Sequence, residues 1–227
     1  MTSLTPNTTY YYRSFLYMNE EYYYGEVKEF KTVEEKQGMC ADGNHPHMID
    51  LGLPSGTKWA CCNVGASAPE EYGGLYGWGD PTGEYTENPN NYDYKSDEWY
   101  AVWEYYGGYE APLDICNTKL DIASVKWGNN WRLPTTDEIK ELENECISKS
   151  FEYKSIIGCL IEGPNNNKIF LPASGYRENT DIYARGEEGR YWSGMTEGIL
   201  HFNSWGIINF NGAFVRYWGY SVRPVRK

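Results

Sequence analysis

The 227-residue chain has no apolar run approaching the roughly 18 residues that a membrane-spanning helix needs. Basic residues are also short: 20 Lys and Arg stand against 32 Asp and Glu, a formal net charge of −12. Sequence-independent binding of nucleic acid needs cations to displace phosphate counterions, so this balance argues against it. Histidine is scarce, with three in all, and no His-Asp-Ser set, glycine-rich phosphate loop or zinc triad is present. General-base chemistry would fall to carboxylates, and none shows the spacing of a positioned pair. The expectation is therefore a protein that is not an enzyme. The opening Met1-Thr2-Ser3-Leu4-Thr5-Pro6 has neither the basic region nor the apolar core of a signal peptide.

Aromatic residues are abundant. They make up 17% of the chain, with 22 Tyr and 9 Trp beside 24 Gly. This composition points to many loops and aromatic-lined surfaces rather than an aliphatic helical core. Charge is uneven. Residues 67–121 carry twelve Asp and Glu against two Lys, a balance of −10, and residues 185–227 carry six Lys and Arg against three Glu, a balance of +3. The acidic stretch reads first as a solvated surface. Clustered carboxylates are also what calcium binds, so calcium is the one alternative to having no cofactor. Cysteines stand at 40, 61, 62, 116, 146 and 159, which permits fifteen pairings and selects none.

The clearest helical signal spans residues 135–147. Thr135 stands at the N-cap, and Glu138 completes a capping box. Pro134 discourages helix any earlier. Ile139, Leu142, Cys146 and Ile147 make one apolar stripe, and Asp137, Lys140, Glu141 and Glu143 take the other face. Short strands and aromatic loops dominate elsewhere, so the stripe should pack on a sheet, giving an α+β fold.

Residues 4–31 read as a β-hairpin. A run from Tyr10 to Tyr17 alternates, Asn19-Glu20-Glu21 turns, and Tyr22 to Phe30 returns. Leu4-x-Pro6-x-Thr8-x-Tyr10 is similar to the tyrosine corner of fibronectin type III domains. That resemblance implies the last two strands of an incomplete sandwich over residues 1–33, with further chain and an export signal expected upstream. Residues 34–39 are polar and read as a linker, and residues 40–227 as the second domain. Cys40 to His47 with Cys61 or Cys62 matches no standard zinc spacing and reads as a loop. Ser67-Ala68-Pro69-Glu70 opens a short helix or turn, and residues 82–112 form a long insertion. Lys154–Ile161 and Lys168–Leu171 read as strands joined by a turn at residues 163–167. From Leu200 to Val225 the chain alternates, giving a twisted antiparallel sheet with one wet side.

Several motifs stand in a telling order. Ile49-Asp50-Leu51-Gly52-Leu53-Pro54-Ser55-Gly56-Thr57-Lys58-Trp59-Ala60 precedes Asn63-Val64-Gly65-Ala66. Trp131-Arg132-Leu133-Pro134-Thr135, Ile169 to Arg177, Tyr191-Trp192-Ser193-Gly194 and Tyr220 to Val225 follow. Over residues 40–227 this resembles the C-type-lectin-like fold of the formylglycine-generating and sulfatase-modifying group. It resembles more closely the Fibrobacter succinogenes major paralogous domain family of gut-bacterial surface proteins. Formylglycine-generating relatives use a cysteine pair in the C-terminal half, whereas no cysteine follows Cys159, so that activity is not carried over. Glu162-Gly163-Pro164-Asn165 and Glu87-Asn88-Pro89-Asn90 approach the sugar-and-calcium motif of true C-type lectins, but each has an extra residue and both read as turns.

The resemblance implies an extracellular adhesion module at a bacterial surface, binding a host or bacterial protein or a glycan. The tail has the Tyr, Trp, Gly, Asn and Ser composition of antibody paratopes. Candidate ligand-binding residues are Tyr191, Trp192, His201, Asn203, Trp205, Asn209, Asn211, Arg216, Tyr217 and Trp218. Arg132 and Arg223 read as structural partners of carboxylates. Two alternatives share the fold: a variable protein diversified by a retroelement, and a structural stalk or pilus component.

Overall fold

The computed structural model describes residues 8–31, 47–80, 113–128, 130–195, 198–211, 215–216 and 218–227. The chain divides into two compact units, Met1–Gln37 and Gly38–Lys227.

In the first unit, β1 (Thr9–Tyr12), β2 (Phe15–Met18), β3 (Glu21–Tyr24) and β4 (Lys28–Lys31) form an interrupted hairpin. β2 pairs with β3 and β1 with β4, both antiparallel. Asn19 (φ 52°) and Glu20 (φ 66°) close it between the pair Met18 and Glu21. Positive φ at both central residues is the type I′ geometry that matches strand twist. The Gly25 amide donates to the Ser14 carbonyl at 2.9 Å and carries the ladder across the break. Rings pair across the strands, Tyr17 with Tyr22 at 4.7 Å and Tyr10 with Phe30 at 5.8 Å.

The second unit is built of small antiparallel sheets with few helices. Its strands are β5 (Met48–Asp50), β6 (Lys58–Ala60), β7 (Ile147–Tyr153), β8 (Ile156–Glu162), β9 (Lys168–Pro172), β10 (Tyr176–Glu178), β11 (Asp181–Tyr183), β12 (Gly189–Trp192), β13 (Ile199–Phe202), β14 (Ile208–Asn211) and β15 (Val225–Arg226). They assemble as β7-β8-β9, β12-β13-β14, β15-β6-β5 and the pair β10-β11. Among the described residues two helices accompany them, α1 (Ile122–Trp127) and α2 (Thr136–Glu145). Among the described residues no helix is long and apolar enough to cross a membrane.

The capping box of α2 is formed. Thr135 Oγ1 accepts from the Glu138 amide at 3.2 Å, and Glu138 Oε2 accepts from the Thr135 amide at 2.9 Å. Ile139 and Leu142 are buried against the sheets. The helix stops at Glu145, two residues before the expected end. Cys146 is extended (φ −110°, ψ 155°), and Ile147 already pairs with Glu162 as the start of β7, where it is 71% exposed. Ile147 therefore leaves the apolar stripe. Lys154 and Ser155, expected in a strand, form the β7–β8 turn with φ of 49° and 67°. The turn at residues 163–167 forms as expected, and the side-chain Nδ2 groups of Asn165 and Asn167 both donate to the Asp50 carbonyl, at 2.9 and 2.8 Å. Glu162 to Asn165 is thus part of a hairpin, and Glu87 to Asn90 lies outside the described residues. Ser67 opens a turn rather than a helix, its amide held by Glu71.

The sheet β12-β13-β14 has a buried cluster on each side. Tyr191, Leu200, Phe202 and Ile208 face the cluster containing Ile139, Leu142, Ile161 and Leu171. Trp192 and Ile199 face the other, with Val64, Tyr76, Trp78, Ile115 and Val222.

Residues 219–226 run between the elements as a buried strap. Gly219 exchanges amide bonds with Arg177, Tyr220 with Tyr76 and Val225 with Arg132. Ser221 bonds Arg190 and Trp192 through its own amide and carbonyl, and Val222 and Pro224 accept from Val64 and Ala60. Tyr220 to Val225 has no wet side, contrary to expectation: both faces are packed, Tyr220 and Val222 in one buried cluster and Val225 in the other. Arg132 forms a two-pronged pair with Glu138 at 2.7 and 2.6 Å. Arg223, expected beside a carboxylate, is instead enclosed by neutral acceptors: Asn63 Oδ1 at 2.9 Å, the Ala60 carbonyl at 3.0 Å and the Phe170 carbonyl at 2.9 Å.

Candidate functional site

The sheet β12-β13-β14 is covered unevenly, and the unevenness makes a site. On one face Trp192 and Ile199 oppose each other and are sealed by the second cluster. Two residues along, the row Arg190, His201, Asn209 crosses all three strands. Period-two alternation puts this row on the same face as Trp192. Here the cover ends, and all three residues are half-buried.

Glu188 joins two members of the row. Its Oε1 accepts from Arg190 Nε at 2.8 Å, and its Oε2 lies 3.2 Å from His201 Nε2. Its carboxyl is held below the usual carboxylate range, first by His201 and then by Arg190, against the opposing effect of burial. The Arg190 guanidinium lies over the Tyr176 ring at 4.0 Å, with Tyr220 at 5.7 Å and Trp218 at 5.8 Å. Tyr176 stacks on Trp218 (4.8 Å, 20°) and on its cross-strand partner Tyr183 (5.6 Å, 25°). Arg190 Nη1 donates to the Tyr220 hydroxyl at 3.5 Å. The result is one continuous patch of three near-parallel rings, a guanidinium, a carboxylate, an imidazole and an amide.

The sequence-derived candidates divide. His201, Asn209 and Trp218 belong to this patch. Tyr191 and Trp192 do not form part of a surface: they are 2% and 1% exposed. The Tyr191 hydroxyl donates to the Pro172 carbonyl at 2.7 Å, and Trp192 Nε1 donates to the Tyr76 carbonyl at 2.6 Å. Both lie in a strand covered on both faces, so an external ligand does not touch them. Arg216 stacks over Trp78 at 5.1 Å, and burial pushes its pKa down. The Asn211 side chain and Tyr217 lie outside the description. Tyr176, Tyr183, Glu188 and Arg190 were not among the candidates. An arginine inside the short aromatic strand Gly189–Trp192, two residues after a glutamate, was the available signal.

Asn203 and Trp205 stand apart from the patch, on the β13–β14 turn. Asn203 Oδ1 accepts from the Trp205 amide at 3.1 Å, and Gly206 (φ 71°) closes the turn. The Trp205 carbonyl accepts from the Ser150 amide at 3.1 Å, and the Gly206 carbonyl accepts from the Cys159 thiol at 2.9 Å. The turn is therefore clamped to β7 and β8, while the Trp205 ring is 74% exposed.

Among the described residues no group of three His, Cys, Asp or Glu is arranged to hold a metal ion. Cys61 is disulfide-bonded, whereas Cys116, Cys146 and Cys159 are free thiols. Burial pushes the Cys146 and Cys159 thiols up to about 12 and raises Cys62 and Cys116 as well, so these four are poor nucleophiles near neutrality. The arrangement suits recognition by stacking and hydrogen bonding. No family model, curated protein or solved structure matches the chain.

Proposed function

We propose that the chain is part of a non-enzymatic, extracellular adhesion protein of a bacterial surface, with a fibronectin-like hairpin preceding a C-type-lectin-like domain. The ligand is a surface protein or glycan, met by the C-terminal sheet and the rings beside it. The observation that carries this reading is the half-exposed patch of Tyr176, Tyr183, Trp218, Arg190, His201 and Asn209. Rigid aromatics supply contact area at low entropic cost, and neighbouring polar groups supply directional bonds. The bridged Cys61 favours an oxidising compartment. The sequence resemblance to the Fibrobacter succinogenes paralogous family implies the same fold and setting.

Mucin, which presents polypeptide and glycan together, is the test ligand. Tyr183 is 44% exposed, so Tyr183→Ala removes ring surface with little effect on folding. Mucin binding that persists in chelator and weakens about tenfold in Tyr183→Ala, about 1.4 kcal/mol, is the expected result. Binding indifferent to this variant would remove the patch from the ligand site. Absence of any binding would leave the stalk reading, in which the same face is buried against a neighbouring subunit.

A further inference from the structure

Resting on that reading, we infer that the patch recognises an uncharged pyranose sugar, without a metal ion. The charges in the row already match one another. Arg190 is paired with Glu188 at 2.8 Å, and the other oxygen of Glu188 is occupied by His201. An anionic ligand approaching Arg190 meets the Glu188 carboxylate beside it, and a cationic ligand meets the guanidinium. Like charges brought together in this way cost affinity and select against such partners. A sugar hydroxyl both donates and accepts. It can pair with the guanidinium N–H groups, with either end of the Asn209 amide, and with the remaining lone pairs of Glu188.

The rings supply the other half. Tyr183, Tyr176 and Trp218 offer apolar ring surface beside the polar row. A pyranose has the matching division, C–H bonds on its faces and hydroxyls around its edge. The site is also formed beforehand. Arg190 is fixed by Glu188, by Tyr220 and by three rings, so binding does not have to immobilise its long side chain. Ordering such a side chain ordinarily costs about 0.5–1.5 kcal/mol.

The test uses the full chain on an array of neutral galactose-, glucose-, mannose- and fucose-terminated glycans beside their sialylated and sulfated counterparts, with chelator present. Calorimetry follows on the tightest glycan at low and high salt. Neutral glycans should bind, with affinity changing less than about twofold between roughly 50 and 500 mM salt, since no net charge is neutralised. Asn209→Ala should weaken binding about tenfold or more while thermal unfolding stays unchanged, and Arg190→Lys should weaken it by as much while near-ultraviolet dichroism shows the fold retained. Preference for the acidic glycans, or a steep salt dependence, would overturn the uncharged ligand while leaving the patch as a binding site. Glycan binding lost in Trp205→Ala but retained in Asn209→Ala would overturn both by moving recognition to the β13–β14 turn. Failure of every glycan to bind while mucin is still held through Tyr183 would overturn the sugar and leave a protein ligand.

Discussion

Gly206 shows how much one residue decides here. Its φ of 71° is in the left-handed region, and a Cβ at this position would run into the backbone of Lys149 and Ser150. Gly206→Ala should therefore destabilise the second unit by roughly 2–4 kcal/mol, from left-handed strain plus a clash that only a backbone shift relieves. Chemical denaturation would measure this, and a loss below about 0.5 kcal/mol, the range of an ordinary surface change, would mean the turn is not clamped. Arg223 makes the opposite kind of demand. Its guanidinium is 1% exposed, with Asn63 Oδ1 and two carbonyls as its acceptors, and desolvation lowers its pKa. Arg223→Met should cost about 3–5 kcal/mol, because three buried acceptors lose their donors together. Neither set of contacts was legible in the sequence. A glycine between Trp205 and Ile207 reads only as a break, and Arg223 reads as the structural partner of a carboxylate, whereas its acceptors are neutral. What fixes both is contact with residues 47 to 163 positions away, which no local pattern records.

At the scale of the element, α2 was the most legible part of the chain, because its capping box and its stripe are local. The same glutamate that caps it also holds Arg132 and the Thr57 hydroxyl, the latter at 2.7 Å. Burial works to raise the Glu138 carboxyl, but Arg132, the Thr135 amide and Thr57 outweigh it and leave its pKa below the ordinary value of 4.5. A carboxylate lowered on folding stabilises the fold above its unfolded pKa, and that contribution is lost as pH falls through the folded value. The stability gap between the protein and Glu138→Gln should thus be widest near neutrality, about 2–4 kcal/mol, and narrow as pH drops below about 4.5. Thermal melts of both across this range would show it, and a gap constant with pH would place the loss in hydrogen bonding alone. Asp121 acts in the opposite sense. Burial raises its pKa despite amide bonds from Asn117, Ala123, Ser124 and Leu133, so its ionised form is disfavoured in the fold and acid relieves it. Strand β12 was less legible than α2. With Tyr191 and Trp192 sealed on opposite faces, core and binding surface have the same aromatic signature, and only the row at Arg190 distinguishes them.

For the whole second unit, the buried strap is what joins the parts. It bonds the regions around Ala60, Tyr76, Arg132, Arg177 and β12, which otherwise belong to separate small sheets and loops. Deleting residues 219–227 should abolish cooperative unfolding of this unit rather than lower its midpoint. Near-ultraviolet dichroism of the buried tryptophans would report the difference. The sequence showed an alternating closing segment and its place in the order of motifs, but not that every side chain from Tyr220 to Val225 is enclosed. That enclosure depends on packing against remote parts of the chain, the two clusters that take Tyr220, Val222 and Val225 and the acceptors around Arg223.

The strap also sets when this unit can become solid. Asn63 and Ala60 precede Arg223 by 160 and 163 residues, so the contacts that lock the core are among the most remote in the chain. Folding dominated by distant contacts is slow, on the order of milliseconds to seconds. During synthesis the earlier strands therefore emerge without the partner that residues 219–226 supply.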